Sequence, residues 1–140
     1  MQTLKTILEH SKTIAILGLS PDSTKPSHQV AQYLQYKGYS ILPIYPKGGE
    51  ILGVKAYVSI KEAFEANVQI DILNVFRKSE ALLEVAKEVL VLKTPPKCVW
   101  VQLGLANQAA KELLEKAGIL YIEDSCIKIE HKRLFDDSNF

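Results

Sequence analysis

The sequence predicts an α/β domain built on a doubly wound, mainly parallel sheet with helices on both faces. Near-continuous apolar runs of strand length recur along the chain, at Thr13–Leu17, Ile70–Val75 and Cys98–Leu103. Between them lie segments whose apolar residues repeat at helical spacing. Strands without a polar side need cover on both faces, and crossover helices between parallel strands supply it. At 140 residues and 47% hydrophobic, the chain suits one domain with a substantial core, because two domains would each be too small.

Leu4, Ile7 and Leu8 stand at helical spacing and predict a short docking helix ahead of the core. Thr13–Gly18 is a β-branched-rich strand ending in glycine; a loop then leads to a helix with Val30, Ala31 and Leu34 on one face and Gly38 as its stop. Ser40–Tyr45 predicts the second strand, although Pro43 lacks an N–H and fits only where no ladder bond is needed. A turn follows at Lys47-Gly48-Gly49, and Val54–Val58 reads as a short strand or an irregular connection. Ser59 with Glu62 three positions on is a capping-box pattern opening a helix over Ile60–Ala66. Ile70–Val75 is the next strand. Ser79–Leu92 is a helix with Leu82, Leu83, Val85, Ala86, Val89 and Leu90 inward, stopped by Pro95-Pro96. Cys98–Leu103 is a further strand, Gln108–Ala117 a helix closed by Gly118, and Ile119–Ile122 the last strand. This order of elements is that of a Rossmann-like doubly wound fold. The domain is expected over residues 1–134, with a polar tail over 135–140.

Seventeen basic and 16 acidic residues leave a net charge of +1, which excludes a nucleic-acid binder working through bulk electrostatics. No apolar run approaches the roughly 20 residues that span a bilayer, and Lys5, Glu9 and Lys12 interrupt any apolar leader, so a cytoplasmic protein is expected. Cys98 and Cys126 have no zinc-like spacing and read as free thiols. Cys126 and Glu130 would share a helical face, with Asp124 and His131 nearby, but one soft ligand is too few for a closed zinc site. No metal is expected there; the plainer alternative is a helix-capping Asp124 and a packed Cys126 thiol. Trp100 and Cys98, inside an apolar strand, read as core.

Open parallel sheets bind ligands beyond the carboxyl ends of their strands, so the loops there carry the functional reading. After the first strand come Gly18, four hydroxyl residues (Ser20, Ser23, Thr24, Ser27), Lys25, and Pro26 suited to a first helical turn. Free N–H groups at a helix start, with a lysine beside them, favour phosphate; the same composition also serves as a plain helix cap. The loop is neither Gly-x-Gly-x-x-Gly nor a P-loop. Binders of NAD place an acid after the second strand to accept the ribose hydroxyls, whereas this chain has Tyr45-Pro46-Lys47. A cation there suits a phosphorylated ribose. The third site strand adds Arg77 and the fourth ends in Gln102-Leu103-Gly104, so three cations are expected at one edge.

Taken in order, Gly18-Leu19-Ser20, Lys25-Pro-Ser27-His28, Pro46-Lys47-Gly-Gly-Glu50, Val75-Phe76-Arg77, Gln102-Leu103-Gly104 and Asp124–His131 closely resemble the small single-domain CoA-binding proteins. More distantly they resemble the CoA-binding N-terminal domain of the succinyl-CoA synthetase α-subunit. The match runs from about Lys12 to Leu134. The resemblance implies a Rossmann-like fold with coenzyme A across the strand ends. Gly18, Leu19, Ser20, Lys25 and Ser27 would meet phosphates, Pro46 and Lys47 the phosphorylated ribose or adenine, and Val75, Phe76, Arg77, Gln102, Leu103 and Gly104 the rest. Tyr45 stands where the family commonly has asparagine, so a polar contact from that position is not carried over. None of the three histidines matches the synthetase's phosphorylated histidine, which belongs to a second domain.

The expected function is therefore non-catalytic binding of CoA or acyl-CoA, as a carrier, sensor or subunit, with a second copy or another protein as a possible partner. The alternative is an NADP-dependent oxidoreductase holding the 2′-phosphate with Lys47 and Arg77. Cys126, just past the last strand, is the candidate reactive thiol.

Overall fold

The computed structural model describes residues 3–67 and 69–135. The elements run α1 (Leu4–Glu9), β1 (Thr13–Leu17), α2 (Pro26–Tyr36), β2 (Ser40–Ile44), β3 (Glu50–Ile51), β4 (Val54–Lys55) and α3 (Ile60–Ala66). They continue with β5 (Ile72–Val75), a 3₁₀ turn (Ser79–Ala81), α4 (Leu82–Leu90), β6 (Cys98–Val101), α5 (Gln108–Lys116), β7 (Leu120–Ile122) and α6 (Ile127–Phe135).

The main sheet has the order β2-β1-β5-β6-β7 and every pairing in it is parallel. The chain winds outward from β1 to β2 and then returns to the other side of β1 at β5, so the switch point lies between β1 and β5. The undecided Val54–Val58 segment is half hairpin, half strand. β4 pairs antiparallel with β3, and Tyr57 then joins β2 through a single parallel bridge to Ile44. That bridge explains Pro43. Its carbonyl accepts the Tyr57 N–H at 2.9 Å, so its nitrogen faces the outer side of β2, where the pairing only begins.

Strand side chains alternate between two apolar layers. Ala15 and Leu17 of β1 join Leu73, Val75, Val99 and Val101 under α3, α4 and α5. Ile14 and Ile16 join Ile72, Cys98 and Trp100 under α1, α2 and α6. Trp100 is fully buried and donates its indole N–H to the Ser125 carbonyl at 3.1 Å, which fits the expected core role.

Several boundaries differ from the sequence reading for physical reasons. Strand β5 starts at Ile72, because Asp71 is a brace at the amino edge. Its Oδ2 accepts the N–H groups of Lys12 at 2.8 Å and Thr13 at 3.1 Å, and Lys97 Nζ lies 3.3 Å from Oδ1. Strand β6 stops at Val101: the Gln102 N–H still donates to the Val75 carbonyl at 3.1 Å, but the chain turns at Leu103 and Gly104. Leu83 lies outside both apolar layers, unlike Leu82, Val85, Ala86 and Val89. In the capping box, Ser59 Oγ accepts the Glu62 N–H at 3.1 Å as expected, but Glu62 reaches the N–H of Val58 instead of Ser59. His131 is a buried member of α6, hydrogen-bonded through Nδ1 to the Tyr33 hydroxyl at 2.8 Å. Phe135 closes α6, and the rest of the expected tail, 136–140, lies outside the described residues.

Candidate functional site

The switch-point edge is assembled around Gly18. Its N–H donates to the Ile44 carbonyl at 3.0 Å, which ties the end of β1 to β2. Its φ is +86°, and a Cβ there would lie 2.5 Å from the Phe76 carbonyl oxygen and 3.0 Å from Arg77 Nη1. Only glycine lets the loops after β1 and β5 touch in this way.

The loop from Gly18 to Lys25 braces itself. Ser27 Oγ accepts the Ser20 N–H at 3.0 Å, Ser20 Oγ accepts the Asp22 N–H at 3.0 Å, and the His28 ring Nδ1 donates to the Ser20 carbonyl at 2.9 Å. Each of these hydroxyls acts as an acceptor and so keeps its own hydrogen for an outside partner. Helix α2 begins with Pro26 and has no side-chain cap and no acid in its first turn. By contrast α1, α3 and α5 are capped by Thr3, Ser59 and Asn107. The α2 N-terminus is therefore open at the edge, with exposed Lys25 beside it.

Asp22 is the residue the sequence reading overlooked. Its Oδ1 accepts the N–H and the hydroxyl of Thr24 at 2.9 and 2.8 Å, and these bonds hold its carboxyl below the usual range. A negative charge thus sits within the loop itself. The Asp-x-Thr spacing is the available signal, being that of an Asx turn.

After β2, Pro46 and Lys47 are exposed and Gly48 closes the turn by donating to the Tyr45 carbonyl at 2.9 Å. After β5, the Phe76 N–H donates to the Leu17 carbonyl at 2.9 Å and the Phe76 ring packs partly into the α1/α2/α6 layer. Arg77 is half-buried and, among the described residues, has neither a carboxylate within 4.0 Å nor a hydrogen-bond acceptor. It lines a hollow of about 240 Å³ with Leu17, Val58, Ser59, Glu84 and Glu88 among its walls. Val58 also flanks the β2 loop, its Cγ1 lying 3.5 Å from where a Gly48 Cβ would be.

The loops after β6 and β7 are latched to each other. Gly104 donates its N–H to Asp124 Oδ1 at 2.7 Å, and the Asp124 N–H donates to the Leu105 carbonyl at 3.0 Å. The Asn107 N–H donates to Glu123 Oε1 at 3.1 Å, while Asn107 Nδ2 donates to the Ser79 carbonyl at 2.9 Å. Asp124, read from the sequence as a helix cap, is instead this cross-loop acceptor, held at φ +53°. Gln102 Oε1 is buried with no donor among the described residues, and Leu103 is 57% exposed.

The structure thus brings Lys25, Lys47 and Arg77 to successive loops of one edge, and Gly18, Phe76 and Arg77 into contact. Leu19 and Val75 are fully buried, which leaves only their backbone for the edge. Cys126 is 8% exposed and packed under α6, and Cys98 is wholly buried, which pushes its thiol up to about 12. Among the described residues no group of three His, Cys, Asp or Glu could hold a metal ion. A hollow of about 800 Å³ beside Phe64, Val91 and Leu92 lies at the C-terminal ends of α3 and α4. That is the amino edge of the sheet, away from the charged loops.

Fold and edge together define a Rossmann-like domain with polar loops at the carboxyl edge and a cation after each of the adjacent strands β2, β1 and β5. The chain belongs to the CoA binding domain family, whose model matches residues 12–132. It is 44% identical over 128 residues to the Bacillus subtilis (strain 168) protein YneT, described as uncharacterized, covering 91% of each chain. Among solved structures it is similar to the Thermus thermophilus protein cell-free ID.343, at 40% identity and a TM-score of 0.86, covering 94% of this chain and 96% of that one. A hypothetical protein from Pyrococcus horikoshii OT3 matches at 30% identity and a TM-score of 0.83, with 95% and 92% covered.

Proposed function

We propose that this protein binds coenzyme A, free or acylated, across the carboxyl ends of its strands, as a non-catalytic carrier, sensor or subunit in the cytoplasm. One observation carries the reading: the half-buried Arg77 guanidinium at the switch point has no partner among the described residues. Glu84 and Glu88 line the same hollow but neither lies within 4.0 Å of the guanidinium, and a phosphate would supply the charge-assisted acceptors that this partly buried cation lacks. Family membership supports coenzyme A as the phosphate's owner.

Gly18, Ser20, Lys25 and Ser27 meet the diphosphate through backbone, hydroxyls and charge, together with the open α2 N-terminus. Leu19 adds backbone to the same loop. Lys47, beside Pro46, meets the phosphorylated ribose. The Val75 backbone, Phe76, Arg77, Gln102, Leu103 and Gly104 line the remainder. No described helix is long and apolar enough to cross a membrane. Calorimetric titration with CoA, 3′-dephospho-CoA and NADPH tests the reading. Saturable CoA binding is expected; saturation by NADPH with none by CoA would replace it with the oxidoreductase alternative.

A further inference from the structure

The loop cations of the carboxyl edge are confined to one half of the strand order, a half that also holds the Asp22 carboxylate of the β1 loop. Lys25, Lys47 and Arg77 follow β1, β2 and β5, which are adjacent in the sheet. The loops after β6 and β7 carry no cation from Gln102 to Asn107 or from Glu123 to Cys126. They offer instead exposed Leu103, the donorless Gln102 carboxamide, and the carboxylates of Glu123 and Asp124. Those carboxylates are fixed, because each accepts a backbone N–H from a neighbouring loop.

A CoA thioester has the same polarity. One end carries the phosphates; the other is an uncharged amide arm ending in the acyl group. With the phosphates on the β2-β1-β5 half, the arm has the β6-β7 half left to cross, a further span of about 10 Å at two strand spacings. We infer that the acyl end lies over Leu103 beside Glu123 and Asp124, and that the protein accepts uncharged, apolar acyl groups and rejects those bearing a terminal carboxylate. The selection has an attractive part in the apolar Leu103 side chain and a repulsive part in the two carboxylates. This inference rests on the CoA reading proposed above and adds the class of acyl group.

The test compares CoA, butyryl-CoA and succinyl-CoA by calorimetric titration against the wild type, Leu103→Ser and the double variant Glu123→Gln/Asp124→Asn. Glutamine and asparagine keep an acceptor oxygen for the same N–H groups, and asparagine tolerates the left-handed conformation at position 124. Butyryl-CoA should bind the wild type about fivefold to tenfold more tightly than succinyl-CoA, as expected for a like charge a few ångströms away near water. The double variant should close that gap to under about twofold, and Leu103→Ser should weaken butyryl-CoA about threefold. Equal binding of the two thioesters, or a gap that persists in the double variant, overturns the inference and leaves the CoA reading standing. Failure of all three ligands to bind the wild type overturns both.

Discussion

Replacing Gly18 by alanine tests the contact on which the edge is built. Two costs are separable. The first is backbone strain: a non-glycine residue at φ +86° costs about 1 kcal/mol, or up to about 2. The second is steric, since the new Cβ would meet the Phe76 carbonyl at 2.5 Å, and that oxygen belongs to backbone held by the Phe76 N–H bond to Leu17. Gly118→Ala is the matched control: its φ is +82°, and nothing among the described residues lies within 4 Å of its Cβ position. Gly118→Ala should therefore cost about 1 kcal/mol and Gly18→Ala about 3 kcal/mol. In urea, with an m-value near 1.5 kcal/mol/M, the latter moves the unfolding midpoint down by about 2 M without changing m. Arg77 must also move away from the alanine methyl, so CoA affinity should fall about tenfold in Gly18→Ala and stay at the wild-type value in Gly118→Ala. Equal stability losses in the two variants, to within about 0.5 kcal/mol, would refute the close-approach argument.

Other outcomes follow from single contacts. Burial alone would raise the Asp71 carboxyl, but the Lys12 and Thr13 N–H bonds and the Lys97 ammonium outweigh it and hold the group below its usual range. With the folded value depressed, its stabilisation is present above the unfolded value of about 3.9 and is lost as pH falls through the folded value. Asp71→Asn should then cost about 2 kcal/mol at pH 7 in chemical denaturation, with wild type and variant converging in acid. Lys47→Ala should abolish a preference of about tenfold for CoA over 3′-dephospho-CoA and leave dephospho-CoA affinity unchanged, measured by calorimetry. Against a thiol reagent the native protein should leave Cys98 unlabelled until it unfolds, and with oxidised CoA, by exchange that releases one CoA thiol, any mixed disulfide found by mass spectrometry should sit on Cys126; an adduct on native Cys98 would contradict its burial.

What the sequence discloses depends on the range of the forces involved. The strands of the main sheet are legible because each is apolar on both faces, and the helix stops at Gly38 and Gly118 because backbone chemistry marks them locally. The β3-β4 hairpin is not legible: its turn places Leu52 at φ +55° before Gly53, where asparagine or aspartate would have been the signal. Leu103 has the composition of a strand residue, but the strand ends two positions earlier. Asp71 and Asp124 look like ordinary loop acids until the fold brings them their donors, Asp71 from 58 and 59 residues away and Asp124 from 20. The cations of the edge were legible because an open parallel sheet fixes where loops after strands must lie. Their pairing was not, since the absence of a partner for Arg77 is a property of three dimensions alone.

The two halves of the edge are also held by different kinds of bond, and the difference bears on recognition. The β1 loop is closed by contacts two to eight residues apart: Asp22 to Ser20, Thr24 to Asp22, Ser20 to Ser27 and His28 to Ser20. The β6 and β7 loops are closed by contacts 16 to 28 residues apart, through Asn107, Ser79, Glu123 and Asp124. Local contacts can open without disturbing the sheet, whereas the long-range latch opens only if several loops part together. A phosphate attracts from a distance and can be met by a loop that settles around it, because charge-assisted bonds are strong and reward small adjustments. An uncharged arm offers no such pull, and discriminating one acyl group from another takes a surface that does not yield. On the proposed reading, the self-braced loop would lie under the phosphates and the latched loops under the arm, so that each end of the ligand would meet the kind of surface its chemistry requires.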